Sequence, residues 1–135
     1  MTEHAPLTVR IDDEASLSAV RRAVDEAGRS LGFGLVDQTK LMTAASELAR
    51  NIVLYARDGR VTIDHAHAAG RRGLRLTFED GGPGIPNLER AMQDGYSTGQ
   101  GMGLGLPGAK RLAHEFSIDS EPGVGTRVVY VLWRR

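Results

Sequence analysis

Leu7, Val9 and Ile11 alternate with Thr8 and Arg10, a period of two that predicts a strand with one buried face. The period then lengthens. Leu17, Val20, Val24 and Leu31 recur at helical spacing behind Asp12 and Asp13, either of which is a fitting N-cap, and Gly32-Phe33-Gly34 stops the run. A second helix is expected from a cap at Asp37 to about Ala56, with an apolar stripe of Leu41, Ala44, Ala45, Leu48, Ile52 and Tyr55. Asp58-Gly59 reads as a turn. Val61 to Ala66 and Leu74 to Phe78 form a predicted hairpin across Gly70-Arg71-Arg72-Gly73. A third helix is expected from Gly105 to Phe116. Strands from Phe116 to Ser120 and Thr126 to Trp133 follow, with a turn at Glu121-Pro122-Gly123 between them. The order β-α-α-β-β-loop-α-β-β predicts an α+β two-layer sandwich, helices on one face of a mixed, mainly antiparallel sheet.

Between the second hairpin strand and the third helix lies the stretch that changes the picture. Asp80 to Gly108 holds 9 of the 17 glycines in under a quarter of the chain. Glycine lets backbone approach a ligand closely, and a glycine-rich loop entering a helix aims N–H groups at phosphate. A flexible linker is the plain alternative. Against it, these glycines alternate with Met102, Leu104 and Leu106, and Asp80 stands directly after an apolar strand.

Composition narrows the classes. With 135 residues, 1–135 is expected to be a single domain. Lysine plus arginine (17) balance aspartate plus glutamate (17), so no bulk field draws in nucleic acid or membrane. There is no cysteine, which excludes thiolate metal sites and cysteine nucleophiles and fits a cytoplasmic location. Neither a signal peptide nor an apolar run of ~20 residues is visible.

Glu47 and Asn51 are four residues apart, on one face of the second helix at the edge of its apolar stripe. A carboxamide oxygen there suits magnesium, which takes hard oxygen ligands alongside nucleotide phosphates. A nearby carboxylate can take a proton from a nucleophile. A solvated helix face is the competing reading. GLGLPG (Gly103 to Gly108) satisfies G-x-G-x-x-G, but DGYSTGQGM ahead of it is no strand, which argues against a dinucleotide site. His65 and His67 share a strand face without a third metal ligand. Arg21-Arg22 and Arg71-Arg72 read as solvated or turn residues.

ELARN (Glu47 to Asn51), DGGPG (Asp80 to Gly84), GMGLGL (Gly101 to Leu106) and GVGT (Gly123 to Thr126) resemble, in order, the four boxes of the Bergerat-fold (GHKL) ATPases. The resemblance implies ATP and Mg2+ as cofactors. It assigns Glu47 as general base, Asn51 as magnesium ligand and Asp80 as acceptor for the adenine amino group. Guanine, with a carbonyl there, would leave that carboxylate unpaired. Gly82 and Gly84 would let the backbone close over base and sugar, and Thr126 would support the adenine end. Gly99, Gly101, Gly103, Gly105 and Leu106 complete the implied nucleotide site, with 93–101 as a mobile lid.

The chain lacks the pattern of a phosphoacceptor-histidine helix. ASELARNIVLYA (Ala45 to Ala56) and DGYSTGQGMGLGLPGAKRLAHEF (Asp94 to Phe116) are similar to the RsbT-type switch kinases of bacterial stress signalling. That resemblance implies a serine/threonine kinase acting on STAS-domain proteins of the stressosome. Once released, it would bind and activate a PP2C-type phosphatase. Two rivals stand beside it: an anti-sigma factor that sequesters a sigma factor, and a nucleotide-gated adaptor with little catalysis.

Overall fold

The first helix is set by its cap. Asp13 is the N-cap of α1 (Glu14–Leu31): its carboxylate accepts from Ser16 N–H while the Ser16 hydroxyl reaches back to the cap backbone. Gly32 ends α1 in the left-handed region at φ 95°, its N–H returning to the carbonyls of Gly28 and Arg29. In this computed structural model, which describes residues 5–56, 58–82 and 105–134, α1 and α2 (Leu35–Tyr55) lie against one sheet.

The strands are β1 (Leu7–Ile11), β2 (Gly59–Ala68), β3 (Arg71–Asp80), β4 (Glu115–Glu121) and β5 (Gly125–Trp133), in spatial order β1-β2-β3-β5-β4. Each of the four pairings is antiparallel. The hairpin strands run longer than their apolar cores, because polar Arg60, Glu79 and Asp80 continue the ladder. The turn between them is Ala69-Gly70, both at positive φ, as a two-residue hairpin requires.

One face of the sheet meets the helices. Val61, Ile63, Leu74, Leu76, Phe78, Val128, Tyr130 and Leu132 join the α1 and α2 stripes in a single core. The opposite face carries a small cluster of Ala66, Val131 and Trp133. The Trp133 ring lies on Gly73, where a Cβ would come within 2.7 Å of Cε3. Its Nε1–H donates to Glu115 at 2.8 Å, and the Arg71 guanidinium stacks 4.5 Å from the ring centroid. Arg71 is therefore a cover for Trp133, and Arg21 is no solvated residue either, since its Nε donates to Ser46 Oγ across the two helices.

Three expectations are corrected. Asp37 does not cap α2; Gly34 does, and Asp37 sits buried in the first turn. Leu35 and Val36 are exposed in that turn and hid the true start from the amphipathic pattern. Tyr55 leaves the stripe and is 44% exposed. The third helix, α3 (Gly105–Arg111), stops well short of Phe116. Leu112 and Ala113 tighten into i→i+3 bonds, Tyr130 O–H donates to Leu112 O at 2.8 Å, and His114 N–H goes to Val131 O, opening β4.

Candidate functional site

The site begins at one end of the sheet, where the register aligns Gly59, Asp80, Thr126 and Ser120 across β2, β3, β5 and β4. Asp80 follows Leu74, Leu76 and Phe78 in the period-two alternation, so it points to the helix side of the sheet. Thr126 does the same after the phase of Val128 and Tyr130, and Ser120 after that of Phe116 and Ile118. Where the apolar alternation runs out, polar side chains take over the same face.

Two glycines make this end tight. At Gly59 a Cβ would lie 2.5 Å from Glu79 O and 2.9 Å from Ile52 Cγ2. At Gly125, φ is +146° and a Cβ would run into the Asp80 carbonyl oxygen. Neither glycine stands out in the sequence, because each is read as part of a turn or a box and not as a backbone contact.

Asp80 is half-buried, and its Oδ1 accepts the N–H of Gly82 at 2.9 Å, an Asx-type turn that fixes the chain as it leaves β3. One carboxylate oxygen is thus engaged, leaving Oδ2 to accept from elsewhere. Gly82 in turn rests on the end of α2, where a Cβ would meet Ala56 Cβ at 2.7 Å. Ala56 is five residues beyond Asn51, about 7.5 Å of helix rise. The DGG turn thus closes on the end of α2, the helix that carries Glu47 and Asn51.

Glu47 and Asn51 are both half-buried, and neither side chain has a hydrogen-bond or ion-pair partner among the described residues. Tyr55 continues their line at the next i+4 step and opens to solvent, a placement that its apolar character masked. An unengaged amide oxygen beside an unengaged carboxylate suits a hard cation shared with phosphate oxygens. No group of three or more His, Cys, Asp or Glu among the described residues offers a cation site of its own.

Thr126 Oγ1 and Ser120 Oγ lie 2.9 Å apart, and Ser120 Oγ is also 3.4 Å from the Gly125 carbonyl. A hollow of about 580 Å³ wraps this end of the sheet, lined by Asp80, Gly81, Ser120, Gly125 and Thr126 and by the charged Arg60, Glu79 and Arg127 behind them. Glu79 bridges the two arginines at 3.4 and 3.7 Å, holding that wall together.

Of the expected nucleotide residues, Asp80, Gly82 and Thr126 lie at this end of the sheet, and Glu47 and Asn51 lie on α2, whose end packs against Gly82. Leu106 is half-buried against the core from the first turn of α3, which Gly105 begins. Gly84, Gly99, Gly101, Gly103 and the expected lid at 93–101 lie outside the described residues.

Comparison with known proteins agrees with this architecture. Residues 36–135 match the family model for histidine kinase-, DNA gyrase B- and HSP90-like ATPases. The serine/threonine-protein kinase RsbT of Bacillus subtilis is 47% identical over 94% of this chain and 96% of its own. An anti-sigma F factor of Bacillus licheniformis is 30% identical over 67% of this chain and 65% of its own. Among solved structures, the mycobacterial sensor histidine kinase MprB superposes with a TM-score of 0.57 at 21% identity, covering 98% of both chains. The catalytic domain of the histidine kinase ThkA gives 0.56 at 16% identity, covering 93% of this chain and 95% of its own. The chain belongs to the histidine kinase-, DNA gyrase B- and HSP90-like ATPase family and, within it, to the serine/threonine-protein kinases that RsbT represents.

Proposed function

We propose that this protein is an ATP-dependent switch kinase that phosphorylates a serine or threonine on STAS-domain proteins of a cytoplasmic stress-signalling assembly. When released from them, it binds and activates a PP2C-type phosphatase. The observation that carries the catalytic part is the pair Glu47 and Asn51, without side-chain partners among the described residues, on the helix whose end receives the Asp80–Gly82 turn.

Asp80 Oδ2 accepts from the exocyclic amino group of adenine, and its other oxygen keeps the Gly82 turn in place. Thr126 flanks the same base edge. Asn51 supplies the amide oxygen that would hold Mg2+, and a bound magnesium ion supplies neutralisation of charge on the phosphates. Gly82, Gly84 and the glycines at 99, 101, 103 and 105, with Leu106 at the start of α3, cradle the nucleotide. Glu47 orients the incoming hydroxyl and takes its proton as the phosphoryl group is passed on. Half-burial without a cationic partner among the described residues leaves this carboxylate available as an acceptor.

The test is incubation of the full chain with labelled ATP, Mg2+ and candidate STAS-domain proteins. Label should appear on a serine or threonine of one of them, and should not appear with Glu47→Gln. Label on no STAS protein would overturn the kinase reading.

A second reading, an anti-sigma factor that holds a sigma factor and phosphorylates its antagonist, is favoured by the 30% identity to an anti-sigma F factor. Co-purification of a sigma factor with this chain, released by a phosphorylatable STAS protein, would support it over the first.

A further inference from the structure

The helix-side face of the sheet ends in polar residues at both ends, and the end away from Asp80 is basic. His67, Arg72 and Arg134 stand in one row there. His67 is opposite Arg72 in the β2–β3 register, and Arg134 N–H donates to Arg72 O at 2.7 Å, one step beyond the Gly73–Trp133 pair. We propose that this end, where Arg72 and Arg134 border the exposed Leu35 and Val36 at the start of α2, docks an acidic segment of a partner protein that presents an apolar face.

The charges come first. Arg72 follows the phase of Leu74 and Leu76, and Arg134 that of Tyr130 and Leu132, so both point to the helix side. Both are exposed, and neither side chain has an ion-pair or hydrogen-bond partner among the described residues. Like charges directly opposite on neighbouring strands repel and cost stability. Other arginines of the sheet are engaged: Arg60 and Arg127 with Glu79, Arg75 with Asp64, and Arg71 with the Trp133 ring. Asp37, the acid in the first turn of α2, is buried.

The apolar part adjoins them. A Cβ on Gly32 would lie 3.2 Å from Arg134 Nε and 3.6 Å from its Cζ, so the guanidinium rests on the turn between α1 and α2. Three residues on, Leu35 is 84% and Val36 63% exposed, adjacent apolar side chains on a part of the helix that amphipathicity reserves for polar ones. A singly exposed leucine needs no explanation, but an apolar pair rimmed by two unpartnered arginines is complementary to an acidic, amphipathic surface. A second copy of this chain fits less well, because two-fold pairing sets each arginine against basic residues of its counterpart. From Arg72 to Asp80 is eight strand steps, about 27 Å, so a segment docked here leaves the Asp80 end uncovered.

The probe is a display library of helical peptides in which acidic and basic residues are equally frequent. It is depleted on the full chain carrying Leu35→Ser, Arg72→Gln and Arg134→Gln, all at exposed positions, and then selected on wild type. Surviving peptides should be net acidic, with apolar residues one helical turn apart. Titrated in a calorimeter, they should bind wild type with a Kd below about 10 µM, tighter than exposed ion pairs alone provide. Arg72→Gln with Arg134→Gln, and separately Leu35→Ser with Val36→Ser, should each weaken them at least about tenfold. Arg22→Gln, which changes an exposed arginine on α1, should alter affinity by less than about twofold.

Any of three results would overturn the inference. If no surviving peptide binds more tightly than about 10 µM, this end is no docking surface. If the survivors are neutral or basic, or if either double variant binds them as wild type does, the stated chemistry of the occupant is wrong. If sedimentation shows wild type self-associating where the triple variant stays monomeric, the occupant is a second copy of this chain.

Discussion

The backbone carbonyl of Asp80 packs directly onto Gly125, with no room for a Cβ between them. Asp80 and the strand that carries Thr126 are therefore in register to within the thickness of a backbone. Gly125→Ala would meet that carbonyl from a backbone at φ +146°, a region that side chains rarely adopt. We expect a loss of about 3 kcal/mol in stability, read from the urea midpoint, with ATP affinity falling alongside. A variant as stable as wild type would show that the strands slide apart at no cost.

Asp80→Asn is a narrower change. An asparagine can keep its oxygen on the Gly82 N–H and so preserve the turn, while its NH2 faces the adenine amino group as a second donor. ATP affinity should drop at least tenfold with little change in thermal midpoint. Unchanged affinity in a titration calorimeter counts against Asp80 as the reader of the base.

Glu47→Gln keeps size and half-burial and removes the proton acceptor. ATP binding should stay within about twofold, and phosphoryl transfer should fall by about 100-fold or more. Equal loss of binding and transfer, in parallel equilibrium and single-turnover measurements, would assign Glu47 to the nucleotide and not to the hydroxyl.

Much of this was legible in the sequence, for reasons that differ by element. The strands and both long helices were readable because burial enforces a period: every predicted α1 position, Leu17, Val20, Val24 and Leu31, is in the core. The Asp13–Ser16 cap is a local device that needs no tertiary knowledge. The start of α2 was hidden because Leu35 and Val36 are exposed where amphipathicity expects polar residues. The end of α3 was hidden because Tyr130, 18 residues away, takes the Leu112 carbonyl. Asp80 and Glu47 stand out in the sequence by their boxes. Gly59 and Ser120 do not, since their places at this end of the sheet come from register with other strands.

Acid should act on the interface between α1 and α2. Gln38 Nε2 donates to Asp25 at 2.9 Å and Arg29 pairs with it at 3.0 Å, and these bonds, led by Gln38, hold the Asp25 carboxyl below its ordinary value. A depressed folded-state value means the contribution is complete above the unfolded carboxylate value, about 3.9, and is lost as pH falls through the folded one. Thermal midpoints of wild type and Asp25→Asn should therefore differ at pH 6 and converge as pH falls through the depressed folded-state value. A gap that is constant across that range would remove Asp25 from the acid response.

Tyr130→Phe tests the junction between α3 and β4. The phenol is buried and its O–H donates to Leu112 O; burial first, and the Asp37 charge second, push its ionisation upward. Removal of the hydroxyl strands a carbonyl and should cost about 1–3 kcal/mol by denaturant unfolding. No loss would mean that the turn after Arg111 is held by its own i→i+3 bonds alone.

The row Gly59, Asp80, Thr126 and Ser120 draws one residue from each of four strands, spread over more than 60 positions of chain. No fragment of the protein owns this row, and no chain with one of these strands unpaired has it whole. Whatever the row is built to hold, its assembly is inseparable from the closing of the sheet, and it is lost with the first strand to peel away.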